Sequence, residues 1–150
     1  MLKAFKYRLY PTKTQKVKLS ETLWLCSIVY NTSLAERRDC WELGGHSVTK
    51  FDQINHLPEL KKLDIRFNLV HSQVLQDVVR RLDKAFEAFF RRVKVGNEPG
   101  YPRFRPARRY DSFTFPQAPS GCQLQGAKLV LSKIGTVKMK LHWEVPGKVK

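Results

Sequence analysis

The chain is poor in the residues that staple, anchor or catalyse. Its three cysteines, Cys26, Cys40 and Cys122, are odd in number, far apart and without a CxxC pair. That spacing argues against a zinc knuckle and more strongly against a disulfide framework. Cys26 and Cys40 read instead as small apolar residues of a reduced cytosol. The four histidines, His46, His56, His71 and His142, lack metal-ligand spacing. No apolar run has the length of a signal peptide or a membrane span. No glycine-rich phosphate loop follows a strand pattern, and no Ser, Cys or Thr stands in a recognisable nucleophile motif. Acidic residues are few, 13 against 28 Lys and Arg. No pair of carboxylates recurs on one strand as a metal-dependent nuclease site requires. The sequence therefore reads as a binding module rather than an enzyme, with no catalytic and no metal-binding residue assigned.

What is present is positive charge. The net charge is +15, and 42% hydrophobic content is enough for a core. Such an excess costs self-repulsion and points to a polyanion as partner. Residues 1–95 carry 18 basic and 10 acidic side chains, whereas residues 96–150 carry 10 and 3. The densest stretch is Gly100–Phe115, GYPRFRPARRYDSFTF. It holds Arg103, Arg105, Arg108 and Arg109 among Tyr101, Phe104 and Tyr110, with Pro102 and Pro106 discouraging helix. Arginine forks grip phosphate through two parallel bonds, and flat rings stack on bases or guanidinium planes.

Alternation over residues 3–10, with Phe5, Tyr7 and Leu9 on one face and Lys6 and Arg8 on the other, predicts a half-buried strand stopped by Pro11. Thr12 and Gln15 form a capping-box pattern, and a helix should run from there to about Leu43, ended by Gly44-Gly45. Its apolar stripe is Leu19, Leu23, Cys26, Tyr30 and Leu34. Thr49 can cap a short helix through about Leu57, and Pro58 suits the first turn of another. Residues 72–94 predict the clearest helix, N-capped by Ser72. Leu75, Val78, Val79, Leu82, Phe86, Phe89, Phe90 and Val93 form its buried face, opposite a basic stripe of Arg80, Lys84 and Arg91. Short strands are expected at Ser112–Phe115 and Lys128–Leu131. A longer one is expected at Ile134–Trp143, with Val137, Met139, Leu141 and Trp143 inward and Lys138, Lys140 and His142 outward. Two amphipathic strands at opposite ends of the chain, each basic outside, suggest one sheet with the helices inserted between its strands.

The order of these segments resembles the N-terminal part of the TnpB proteins, the OrfB-type transposase-associated proteins of bacterial and archaeal insertion sequences. The residues that carry the resemblance span nearly the whole chain. They are Lys6-Tyr7-Arg8-Leu9-Tyr10-Pro11 with Gln15, Tyr30-Asn31 with Leu34, and Leu57-Pro58-Glu59-Leu60-Lys61. The helix from Gln73 through Ala85-Phe86 to Phe89-Phe90 follows, then Gly100-Tyr101-Pro102-Arg103-Phe104-Arg105, Ser112-Phe113 and Lys133-Ile134-Gly135. Trp143 departs from the pattern, standing where a basic residue is expected.

The resemblance implies an α+β fold. A small wedge-type, OB-like β-barrel is expected from residues 1–10 and 99–150, with a helical recognition bundle, residues 11–98, inserted. It also implies a nucleic-acid-binding fragment of an RNA-guided DNA endonuclease. Its partners are DNA and a guide RNA made from the transposon end, with no membrane and no small-molecule substrate, in a prokaryotic cytoplasm at the nucleoid. The RuvC-like nuclease domain and its divalent metal are expected downstream of Lys150, so no cofactor and no catalytic residue is carried over to this chain. Ser72, Gln73 and Gln76 are expected to face the target-adjacent DNA motif, since a Gln amide can pair with adenine. Thr49 and Lys50 approach the same DNA, and Arg80 and Lys84 add the basic stripe. Arg103, Arg105, Arg108 and Arg109 resemble backbone grips on RNA or heteroduplex, extended across the sheet by Lys138 and Lys140. Two other readings are a stand-alone helix-turn-helix DNA-binding protein of a mobile element, and an assembly fragment that touches no nucleic acid.

Overall fold

The computed structural model describes residues 1–150. Strand β1 (Leu9–Tyr10) leads into α1 (Lys13–Gly44), α2 (Lys50–Leu63) and α3 (Ser72–Lys94); β2 (Cys122–Gln125), β3 (Lys128–Leu131) and β4 (Gly135–Met139) follow. The four strands form an antiparallel sheet in the order β1-β4-β3-β2. The α+β class is as expected, and the first strand does pair with the last across the helices. The sheet is open, with β1 and β2 as its edges, so these strands do not by themselves close a barrel.

The helix ends follow from their capping residues. Thr12 caps α1, its hydroxyl accepting from the Gln15 amide while the Gln15 side chain accepts from the Thr12 amide. Gly45, with φ +61°, closes the other end, its N–H donating back to the Cys40 and Trp41 carbonyls. Thr49 and Asp52 form the same box at the start of α2. That helix differs from expectation: Pro58 does not start a new helix but lies inside a continuous one. The proline removes one backbone bond, and packing of Leu57 and Gln53 into the interior keeps the helix whole. A second correction concerns α3. Its N-cap is His71, whose Nδ1 accepts from the Gln73 amide at 3.3 Å, and not Ser72, which is the first helical residue.

The main core lies where α3 packs against α1 and α2. Val74, Leu75, Val78, Val79, Leu82 and Phe86 from α3 meet Leu25, Cys26, Val29, Tyr30 and Leu34 from α1. The inward stripe of α3 is shorter than its periodicity suggests: Phe90 and Val93 are exposed, because the helix outruns its partners. A second cluster, Leu131, Ile134 and Val137, lies under the sheet. Phe113 and Phe115 pack against both clusters.

The strands are shorter than alternation predicts, and one was overlooked. Only Leu9 and Tyr10 of the 3–10 stretch are strand, paired with Met139 and Lys138. The strand expected at Ile134–Trp143 is β4, Gly135–Met139, because β3 offers partners only as far as Lys128. Past it, Trp143 is exposed rather than inward. Ser112–Phe115 is not a strand; its backbone meets a side chain instead, with Arg81 Nη1 donating to the Ser112 carbonyl at 2.8 Å. Strand β2 at Cys122–Gln125 escaped the sequence reading; its brief in-out alternation before Gly126 is the signal.

Candidate nucleic-acid interface

The stretch from Gly100 to Phe115 runs over the helices as an extended segment with one turn of 3-10 helix, Ala107–Arg109. Three contacts fix its course. Tyr101 packs edge-on against Phe86 and Phe89 of α3. Tyr110 is buried against Tyr30 of α1. Arg81 of α3 binds Ser112 and, through Nη2, the Thr114 hydroxyl at 2.7 Å. Between these anchors, the Asn31 amide holds the backbone of Arg105 from both sides. Asn31 Nδ2 donates to the Arg105 carbonyl and the Arg105 N–H donates to Asn31 Oδ1, each at 2.8 Å.

Pinned in this way, the segment opens a cleft of about 420 Å³ lined by Tyr30, Ala85, Pro102, Arg103, Phe104, Arg105 and Arg109. The Arg105 guanidinium lies over the Tyr30 ring, 5.3 Å from its centroid, and Arg38 lies over Phe104 at the same distance. Arg103, Arg105, Arg108 and Arg109 are exposed, and none enters an ion pair. Three of the four predicted arginines thus converge on one hollow; Arg108 stands outside its lining.

Lys138 and Lys140 lie on a different surface, the outer face of the sheet. There Lys138 is flanked by Tyr10 on β1 and Lys128 on β3, while the Lys140 N–H donates to the Arg8 carbonyl. Arg8, Lys128, Lys138 and Lys140 are all exposed. Arg80 and Lys84 are exposed on α3, next in sequence to the Arg81 and Ala85 that meet the arginine segment.

The residues at the helix starts are engaged within the chain. Thr49 is occupied by its capping box with Asp52, and this bonding lowers the Asp52 pKa. Lys50 bridges to Asp83 at 3.0 Å, beside the half-buried Arg37–Asp83 pair. The Ser72 hydroxyl accepts from Lys61. Gln73 Nε2 donates to Gln117 at 3.0 Å, while its Oε1 is buried without a partner. Gln76 is half-buried. Burial, helped by Lys61 and Lys133, pushes the His71 pKa down.

Sequence reasoning named Phe104 only as one of the aromatics of the arginine stretch, and did not pick out Asn31 and Arg38 as parts of a site, nor Arg8 and Lys128 beside Lys138. The adjacent Tyr30-Asn31 pair was the available signal for Asn31. No three His, Cys, Asp or Glu side chains converge to hold a metal ion, so the residues present do not fit a nuclease-type metal centre. No helix is long and apolar enough to cross a membrane.

Residues 1–46 match the family model of the OrfB IS605 type described as a helix-turn-helix domain. Along nearly all its length the chain is similar to proteins named as RNA-guided DNA endonucleases. One such protein, named as the RNA-guided DNA endonuclease InsQ of Escherichia coli K12, is 28% identical over 99% of this chain and 36% of its own length. Another, from Streptomyces pristinaespiralis and named as an RNA-guided DNA endonuclease, is 30% identical over 96% of this chain and 35% of its own. The chain spans about a third of the length of these curated relatives. Within residues 1–46 the structure has β1 and the whole of α1; the next helix starts at Lys50.

Proposed function

We propose that this chain is the nucleic-acid-binding portion of a TnpB-like, transposon-encoded RNA-guided DNA endonuclease, gripping guide RNA and target-adjacent DNA without cutting either. The observation that carries the proposal is the convergence of Arg103, Arg105 and Arg109 on one cleft with no carboxylate in its lining. Each guanidinium there is free to take a phosphate. The sheet face of Arg8, Lys128, Lys138 and Lys140 supplies a second cationic surface. In this proposal residues 1–10 and 99–150 form the wedge-type unit and residues 11–98 the inserted helical recognition unit. The free edges at β1 and β2 are where closure into a barrel would occur. Arg80, Lys84 and Arg108 extend the grip, and Gln76 is retained as the contact that reads DNA sequence. Thr49, Lys50, Ser72 and Gln73 would have to leave their present partners to reach DNA.

Binding should depend steeply on salt. If about five phosphates are neutralised on duplex DNA, log K falls against log salt with a slope of roughly −4 to −5. A slope near zero would remove the electrostatic basis. Arg103→Ala combined with Arg105→Ala should weaken binding to every sequence alike, whereas Gln76→Ala should alter sequence preference more than affinity. The match to a helix-turn-helix family favours a second reading, a stand-alone reader of duplex DNA. Competition separates the two: a structured RNA from the element's end displaces duplex DNA in the first and leaves it bound in the second.

A further inference from the structure

We propose that the arginine-lined cleft is a receptacle for one unpaired nucleotide, with its phosphate on Arg103, Arg105 and Arg109 and its base stacked on Phe104. The inference rests on the nucleic-acid-binding reading above and sharpens it from a surface grip to a defined pocket.

Four features carry it. The arginines border a wide-mouthed cleft, and its volume of about 420 Å³ falls within the ~300–1,000 Å³ of small-ligand sites. No acidic side chain lines it, so the charge of three guanidinium groups is left for an anion. Phe104 is 48% exposed in a segment otherwise devoted to charge. It lines the cleft while Arg38, which does not line it, covers the ring elsewhere. A half-exposed ring with a cation already over it suits a base, which offers a π-face whatever its identity. Finally, Arg105 is set before any ligand arrives: Asn31 clamps its backbone and Tyr30 supports its guanidinium. Pre-setting spares the ordering cost of a long side chain on binding. Asn31 is thus a positioning residue for Arg105.

A paired nucleotide keeps its base in the stack and cannot enter such a hollow; a bulged or looped-out one can. RNA and DNA both offer that chemistry, and separate arms tell them apart. The test measures binding of the 150-residue chain to an RNA duplex carrying one bulged 2-aminopurine, to the same duplex fully paired, and to the DNA counterparts of both, at one salt concentration. The bulged form of at least one nucleic acid should bind about tenfold more tightly than its paired form, as stacking of one base allows. Its 2-aminopurine fluorescence should be quenched on binding. Phe104→Ala should abolish the excess and the quenching, Phe104→Trp should keep both, and Asn31→Ala should weaken the bulged form more than the paired one. Equal affinity for bulged and paired forms overturns this inference and leaves the proposed function standing. An equal loss on both forms in Phe104→Ala overturns it as well. Failure of all four ligands to bind overturns the inference and the proposed function together.

Discussion

Tyr110 shows what a single side chain costs and contributes here. Its ring fills the space between α1 and the arginine segment, only 3% exposed, but its hydroxyl is buried without a hydrogen-bond partner. Burial pushes the phenol's pKa up to about 12, against the charges of Arg81 and Arg105 and a weak approach of Arg81 to the hydroxyl that falls short of hydrogen-bond geometry. A raised pKa means that the fold favours the neutral phenol. The stabilisation is therefore complete below the ordinary value near 10 and is lost as pH rises from there toward 12. Its size is about 1–2 kcal/mol once solvent screening is allowed for. Tyr110→Phe should flatten this alkaline fall in urea-unfolding free energy. At neutral pH it should leave stability unchanged or raise it by roughly 1 kcal/mol, because an unpaired buried hydroxyl is removed. A loss of more than that would mean the hydroxyl has a partner. Asn31 is the opposite case, a polar residue whose amide is spent entirely on one backbone position, that of Arg105. Nothing in the local sequence foretells that bond, since its partner is 74 residues away.

Among the elements, α3 depends on an uncommon cap. His71 accepts from the Gln73 amide through Nδ1, which only the neutral imidazole can do. Burial and the neighbouring Lys61 and Lys133 hold its pKa below the usual value, so the neutral form is the one the fold favours. The cap's contribution is present above pH ~6.5 and lost as the pH falls below that through the lowered value. His71→Asn should supply a cap without this acid sensitivity. Stability measured between pH ~7 and ~5 should fall more for the native chain than for the variant; parallel curves would exclude the mechanism.

The elements also show what could be read in advance. Both ends of α1 and the start of α2 were legible because Thr12–Gln15, Gly45 and Thr49 act on backbone groups within a turn. The apolar stripe of α3 was legible in its first four turns, where the periodicity had partners to face. Pro58 misled because its preference for a first turn is local, whereas the burial of Leu57 and Gln53 is not. Strand limits were hidden for a similar reason: alternation says that a stretch can pair, and the partner's length says how far. In the site, the four arginines were visible as a cluster. That three of them ring a cleft with Phe104 depends on how α1 and α3 hold the segment.

At the scale of the whole molecule, charge and stability pull in opposite directions. A net charge of +15 destabilises the compact state through self-repulsion while favouring any polyanion. Added salt relieves the first effect and weakens the second. Raising NaCl from ~50 to ~300 mM should therefore raise the Tm of the free chain by a few degrees. Over the same range, affinity for nucleic acid should drop by orders of magnitude. A Tm that falls with salt would place the dominant electrostatics in the ion pairs, such as Arg37–Asp83 and Arg81–Asp77, and not in the excess charge.

The pairing of Leu9 and Tyr10 with Met139 and Lys138 bears on the order of folding. Two residues must find partners from the far end of the chain, and closing so long a loop costs entropy that two rungs scarcely offset. The helices and the β2–β3–β4 meander rest on local contacts, which form fast. The N-terminal strand is therefore expected to dock last. Until it does, the edge of β4 is open, and the outer cationic face lacks Arg8 and Tyr10.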